Sequence, residues 1–249
     1  FCNMRKRASA SERIFNICNV TLLILFAVIC IYPFYYMLIY SVSNPVKAGS
    51  ITLLPVGLTL ENYVKVFSLS GFGRASIVSV LRTLIGTSVT VMCCGFFGYL
   101  VTKQKMIGRK FIYRLLVVTM YVDGGLIPTY LVLNAYGLTN NYWVYILPTA
   151  LSAYNVMLIK TFTEQIPGAL EESARIDGAG TVRCWGSGIL PLSKPILATI
   201  AVFAAVGQWI AWFDAHIYIT KSKMWSLQYI LYRYLQQVQE LASAMEEAS

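Results

Sequence analysis

Four long stretches of this chain contain no Asp, Glu, Lys or Arg: residues 14–46, 83–102, 124–159 and 195–213. Water cannot satisfy a backbone inside a lipid bilayer. An uncharged run of about 18 residues or more therefore reads as a helix that crosses the membrane. Composition agrees, since 57% of the 249 residues are hydrophobic and only 12% are charged, about half the charge of an ordinary soluble domain. The fold class expected is all-α, a polytopic membrane helix bundle. Five spans are predicted, at 16–41, 76–101, 111–133, 142–162 and 194–219. The first run is too long for a signal peptide and no small-residue cleavage site follows it, so it reads as a retained helix.

The net charge of +9 belongs to this topology and gives no reason to invoke nucleic acid. Arg5, Lys6, Arg7 and Arg13 precede the first span. Lys103, Lys105, Arg109, Lys110 and Arg114 lie between the second and third, and Lys160, Arg175, Arg183 and Lys194 between the fourth and fifth. The opposite side holds only Lys47, Lys65, Arg74, Lys221, Lys223 and Arg233. Basic residues collect on the cytoplasmic side, so the N-terminus and the 160–194 region are expected there. The tail from Lys221 onward is polar and could form a surface helix. The six cysteines lack metal-ligand spacing and read as small packing residues.

Several chemistries are missing. One histidine, His216, cannot make a two-histidine metal motif on a helix. Neither a G-x-x-x-x-G-K-[ST] phosphate loop nor a G-x-S-x-G nucleophile elbow occurs. No cofactor is expected in this chain, and no covalent chemistry.

The informative exception to apolarity is "ALEESARIDGAG", residues 169–180. Pro167 suits the start of a helix. Glu171 and Glu172 lie near its positive end, and Glu171 can pair with Arg175 at i, i+4. Gly178 can stop the helix by taking positive φ. A short helix at 167–177 is predicted, kept slim by Ala169, Ser173 and Ala174. Such a helix fits a groove on a partner; the alternative is a surface helix that merely connects two spans.

Glu172-Ser173-Ala174, Gly178 and Leu190-Pro191 resemble the EAA loop of ABC-importer permeases, with its pattern E-A-A-x-x-x-G, nine residues, I-x-L-P. Ser173 replaces the first alanine, and Gly188 stands where isoleucine is usual. "GGLIPTYLVLNAYGLTNNYWVYILP" and "ILPLSKPILATIAVFAAVGQW" extend the likeness over 76–230 to the maltose-type sugar permeases, nearest the branch serving complex oligo- and polysaccharides. The resemblance implies a type I importer permease fold in a single permease domain over 1–249, with a coupling loop at 164–190. It implies a bacterial cytoplasmic-membrane location and partners: ATPase subunits that use ATP and Mg, a second homologous permease and an extracytoplasmic binding protein delivering a carbohydrate. By resemblance, Glu171, Glu172, Ser173, Ala174, Asp177 and Gly178 form the ATPase-coupling set. Glu172 and Ala174 would touch the ATPase and Gly178 would end the docked helix. The family usually has six spans, so we expect this chain to be a fragment that stops before the last. Rival readings are a permease for a non-sugar solute, and a channel or secondary carrier.

Polar groups within apolar runs mark candidate path residues. "YVDGGLIP" puts Asp123, two glycines and Pro128 in mid-span, which should break or kink the third helix. Asp123 then either lines a cavity or pairs with Arg82. In the fifth span Gln208, Trp209, Trp212 and Asp214 could present aromatic faces and polar edges to a sugar; alternatively the tryptophans are an interfacial belt. Tyr154 and Asn155 are weaker candidates of the same kind. His216 reads as a packing residue.

Overall fold

The computed structural model describes residues 10–44, 54–104 and 106–247. Arg5, Lys6, Arg7, Lys47 and Lys105, which contribute to the predicted orientation, and Cys2 lie outside them. The chain divides into two units, 1–70 and 71–249. Among the described residues there is no strand, only an isolated bridge between Ser43 and Leu58.

The first unit contains α1 (Ala10–Ser41) and α2 (Glu61–Phe67). Apolar side chains surround α1, and none of its most apolar stretch is buried within the protein. A helix of that length, hydrophobic all round, suits lipid. At its end Asn62 Nδ2 donates to the carbonyls of Ser41 and Ser43, at 3.0 and 3.1 Å, tying α2 to the chain as it leaves α1.

The second unit is organised on α3 (Phe72–Thr102). One side of α3 carries Ala75, Ser79, Arg82, Gly86, Thr90, Cys94 and Gly98, all buried. Their three- and four-residue spacing makes a seam of mostly small side chains, which lets neighbouring helices approach closely. A Cβ on Gly98 would fall 2.7 Å from Ile159 Cγ2, and one on Gly86 2.7 Å from Gln208 Nε2. Against α3 pack α6 (Ala153–Thr163), α10 (Lys194–Ile210) and α12 (Leu227–Glu247).

The apolar segments predicted as spans are present, but three are interrupted. The third is α4 (Arg109–Tyr121) and α5 (Leu126–Ala135). The break falls at Val122–Gly125, where Gly125 has φ +80° and Asp123 Oδ1 accepts the Gly125 N–H at 3.1 Å. Pro128 sits in the first turn of α5, where its missing N–H does no harm. The fourth begins as a 3-10 turn at Tyr142–Tyr145 and becomes α-helical only at α6. Pro148 lies in the irregular stretch between, and Ser152 caps α6 through the Asn155 N–H. The fifth, α10, ends at Ile210 and restarts as α11 (Phe213–Tyr218).

Between α6 and α10 lie α7 (Ala169–Ile176), α8 (Thr181–Arg183), a π turn at Cys184–Ile189, and α9 (Leu190–Leu192). The run 181–192 meets α10 at 85°. Among the described residues two helices are individually long and apolar enough to cross a membrane, Ser11–Ser41 and Phe72–Thr102. This bent pair would add a third.

The predicted tail helix is α12. Its start is docked, since Ser79 Oγ of α3 accepts the Leu227 N–H at 2.8 Å. Of the cysteines, Cys94 and Cys184 are buried and Cys18, Cys30 and Cys93 exposed.

Candidate functional site

Two polar clusters stand on α3, one in its first half and one at its C-terminal end. The first surrounds Arg82, a cation buried to 1% exposure. Its Nε donates to Gln208 Oε1 at 3.1 Å and its Nη1 to the Ala211 carbonyl at 3.1 Å. Both Nη atoms reach Asp214, Nη1 to Oδ1 at 3.2 Å and Nη2 to Oδ2. The guanidinium carbon lies 4.3 Å from the Tyr145 ring centre. A buried arginine needs this fork of acceptors, because an unpaired charge there is prohibitively desolvated.

The same cluster explains how the α10–α11 break and the irregular stretch before α6 survive. Irregular backbone at membrane depth must be satisfied by protein. Arg82 takes the Ala211 carbonyl freed where α10 ends. Gln208 Nε2 donates to the Tyr145 carbonyl at 3.1 Å and to Thr149 Oγ1 at 2.8 Å. Thr90 Oγ1 donates to the Thr149 carbonyl at 3.1 Å. Beside this network is an open cavity of about 370 Å³ lined by Arg82, Thr149, Asn155, Phe203, Gln208 and Asp214, among others.

The structure thus brings Asn155, Gln208 and Asp214 of the candidate path residues to one cavity. It does not bring the rest. Tyr154 is about half exposed and Trp209 40% exposed, and neither lines that cavity. Trp212 stacks on Tyr232 of α12, centres 3.9 Å apart, and so packs the tail. His216 is exposed, with Nδ1 3.5 Å from Tyr229 Oη. Asp123 is exposed at the α4–α5 break, and the pairing with Arg82 expected as one alternative is corrected: Asp214 holds that arginine. The glycines let Asp123 turn back onto its own loop. Arg82 itself was legible as a lone cation in an apolar run, but its partner lies 132 residues away.

The second cluster joins α7 to the end of α3. Glu171 faces the protein, its side chain 18% exposed. It accepts from Lys103 Nζ, from Arg175 Nη2 at 2.8 Å and from Tyr99 Oη at 3.4 Å. Lys103 also lies over the Tyr99 ring, 3.8 Å from its centre. Burial pushes the Glu171 carboxyl up, but hydrogen bonding and charge from Lys103, with Arg175, outweigh it and hold the group below its ordinary value. Burial dominates for Lys103 and draws its ammonium down, against the opposing pull of Glu171.

The other side of α7 is open. Glu172, Ser173, Asp177 and Gly178 are exposed, and Ile176 is 85% exposed. Ala174 is different: it packs against the cluster of Tyr99, Cys184, Trp185 and Ile189. The predicted stop is present. Gly178 takes φ +77°, and the Ala179 N–H donates to the Ala174 carbonyl at 2.9 Å, the six-to-one bond of a Schellman ending. The helix is shorter than predicted, Ala169–Ile176, with Pro167 just before it. Lys103 and Tyr99 were not legible as partners of Glu171; sequence placed Lys103 only among loop cations.

A lipid-suited helix, a broken-helix body with a polar cavity, and a short exposed helix held by an ion pair describe a helical membrane protein. No family model matches the chain. Over 221 residues it is 39% identical to Protein LplC of Bacillus subtilis (strain 168), covering 88% of this chain and 75% of that one. Over 222 residues it is 36% identical to the polygalacturonan/rhamnogalacturonan transport system permease protein YtcP of the same organism, covering 88% and 78%. A chain in the crystal structure of a bacterial ABC transporter involved in the import of the acidic polysaccharide alginate superposes with TM-score 0.88 at 28% identity, over 97% of this chain and 88% of that one. The chain belongs to the ABC-importer permease family.

Proposed function

We propose that this chain is the membrane-spanning permease subunit of an ATP-driven importer for an oligo- or polysaccharide. The observation that carries the carbohydrate reading is the similarity to YtcP over 88% of the chain; the alginate-transporter likeness supports it. An extracytoplasmic binding protein delivers the substrate, a second permease completes the pathway, and ATPase subunits supply energy by using ATP and Mg. The distribution of basic residues supports a cytoplasmic N-terminus and a cytoplasmic α7. The open side of α7, with Glu172, Ser173, Ile176 and Asp177, is the docking face for the ATPase, and Gly178 ends that face. The cavity beside Asn155, Gln208 and Asp214 belongs to the substrate path.

The test is purification of the subunit from native membranes with its partner chains identified. An ATPase, a second permease and a binding protein together bear the reading out and open the binding protein's ligand to assay. A subunit that comes down alone and carries flux without ATP sinks it. Glu172→Ala should lower ATP-driven uptake while leaving membrane insertion intact; normal coupled uptake would count against the docking face.

A further inference from the structure

We propose that the Lys103–Glu171 joint passes the movement of α7 to α3, and that these two are positioning residues of the transport cycle. This rests on the importer reading above. Of the two acidic side chains of α7, Glu171 is the one turned inward, and it gathers Lys103, Tyr99 and Arg175 onto one carboxylate. Tyr99 and Lys103 belong to the last turn of α3 and the residue that follows it. The α3 end is itself braced, since Arg109 Nε donates to the Val101 carbonyl at 2.7 Å.

What lies at the other end gives the joint its meaning. From Lys103 to Arg82 is about 30 Å of helix at the α-helical rise. Arg82 holds the Ala211 carbonyl and Asp214, the two groups that mark the break between α10 and α11 beside the cavity. A rod fixed at one end to α7 and at the other to that break carries displacement between them. The second route from α7, through the backbone, passes the π turn and the 85° corner before α10. A bent connection can absorb a shift; an uninterrupted helix gripped by an ion pair transmits it.

The experiment uses the whole complex, reconstituted in liposomes, measuring ATPase content, ATP hydrolysis and uptake per ATP. In Lys103→Met and Glu171→Gln the ATPase subunits should stay bound and hydrolyse ATP, while uptake per ATP falls by the order of tenfold, within the usual range of coupling between sites. Lys103→Arg should keep most of the coupling. The double reversal Lys103→Glu with Glu171→Lys should regain part of it, because the carboxylate then stands on the α3 side and can bridge the new ammonium and Arg175. A purely structural role would lower assembly and leave uptake per ATP unchanged in what assembles. Unchanged uptake per ATP in both single variants overturns the proposal, and so does loss of the ATPase from both, which would make the joint a device for assembly. A wild-type complex without ATP-dependent uptake would instead fail the importer reading before any variant was compared.

Discussion

The two ion pairs on α3 use similar chemistry in different settings. Arg82 is 1% exposed and Asp214 23%, whereas Lys103 and Glu171 are 15% and 18% exposed and lie at the edge of a helix end. More telling is what else each pair holds. Arg82 also satisfies a carbonyl freed by a helix break and a glutamine that in turn holds Tyr145 and Thr149. Among the described residues, the Lys103 and Glu171 side chains hold each other, Arg175 and Tyr99, with no hydrogen bond to the backbone. The first pair is therefore part of the fold, and removing one member strands several buried groups. The second can break without orphaning backbone, which suits a joint.

The largest expected effect tests the first half of that contrast. Arg82→Met should destabilise the subunit by about 3–5 kcal/mol, because Asp214 loses its buried partner and Ala211 its donor. Thermal unfolding in detergent reads this. Asp123→Asn, at an exposed loop, should stay within about 0.5 kcal/mol of wild type; equal losses in the two variants would restore the Asp123–Arg82 pairing. Next is the seam. Gly98→Ala puts a Cβ against Ile159 and the Val156 carbonyl, and should lose about 1–3 kcal/mol. Gly95→Ala meets its nearest neighbour at 3.4 Å and should lose less. Gly178→Ala then forces φ +77° on an L side chain, for about 1 kcal/mol.

The Glu171→Gln effect on stability is also small, about 1 kcal/mol or less for a pair that water still reaches. Its pH dependence has a fixed sign. Glu171 sits below its ordinary value in the folded protein. Its contribution is therefore fully present above the unfolded glutamate value of about 4.3 and is lost as pH falls through the lower folded value. Comparing wild type with Glu171→Gln across that range isolates it. A difference that grew on acidification would reverse the assignment.

The sequence made the short helix at 169–176 legible because its signals are local: a proline before it, acids in its first turn, a glycine at its end. Gly178 did stop it. The break in the third segment was legible too, from two glycines and a proline, but the same locality missed the breaks in the fourth and fifth. Apolar runs report affinity for lipid, whatever the backbone does within them. The break at Ala211–Trp212 and the irregular stretch before α6 are tolerated because Arg82, Gln208 and Thr90 take up freed groups, whereas at the exposed Val122–Gly125 break Asp123 caps its own loop. Of the path candidates, Asn155, Gln208 and Asp214 gathered at one cavity, while Trp212 turned to the tail. Aromatic residues near a span end carry the same sequence signature for either role.

Sequence alone determined that this chain is a helical membrane protein with a glycine-punctuated acidic helix between two apolar runs, since the absence of charge over such lengths leaves lipid as the solvent. Its motifs and their spacing also determined the family. Tertiary structure decided which side of α7 is free and which is locked, and which acid holds Arg82. Those choices depend on residues brought together across 68 and 132 positions of chain. No local pattern encodes them, because an arginine buried in an apolar run requires a counter-charge but does not specify where in the sequence it must lie.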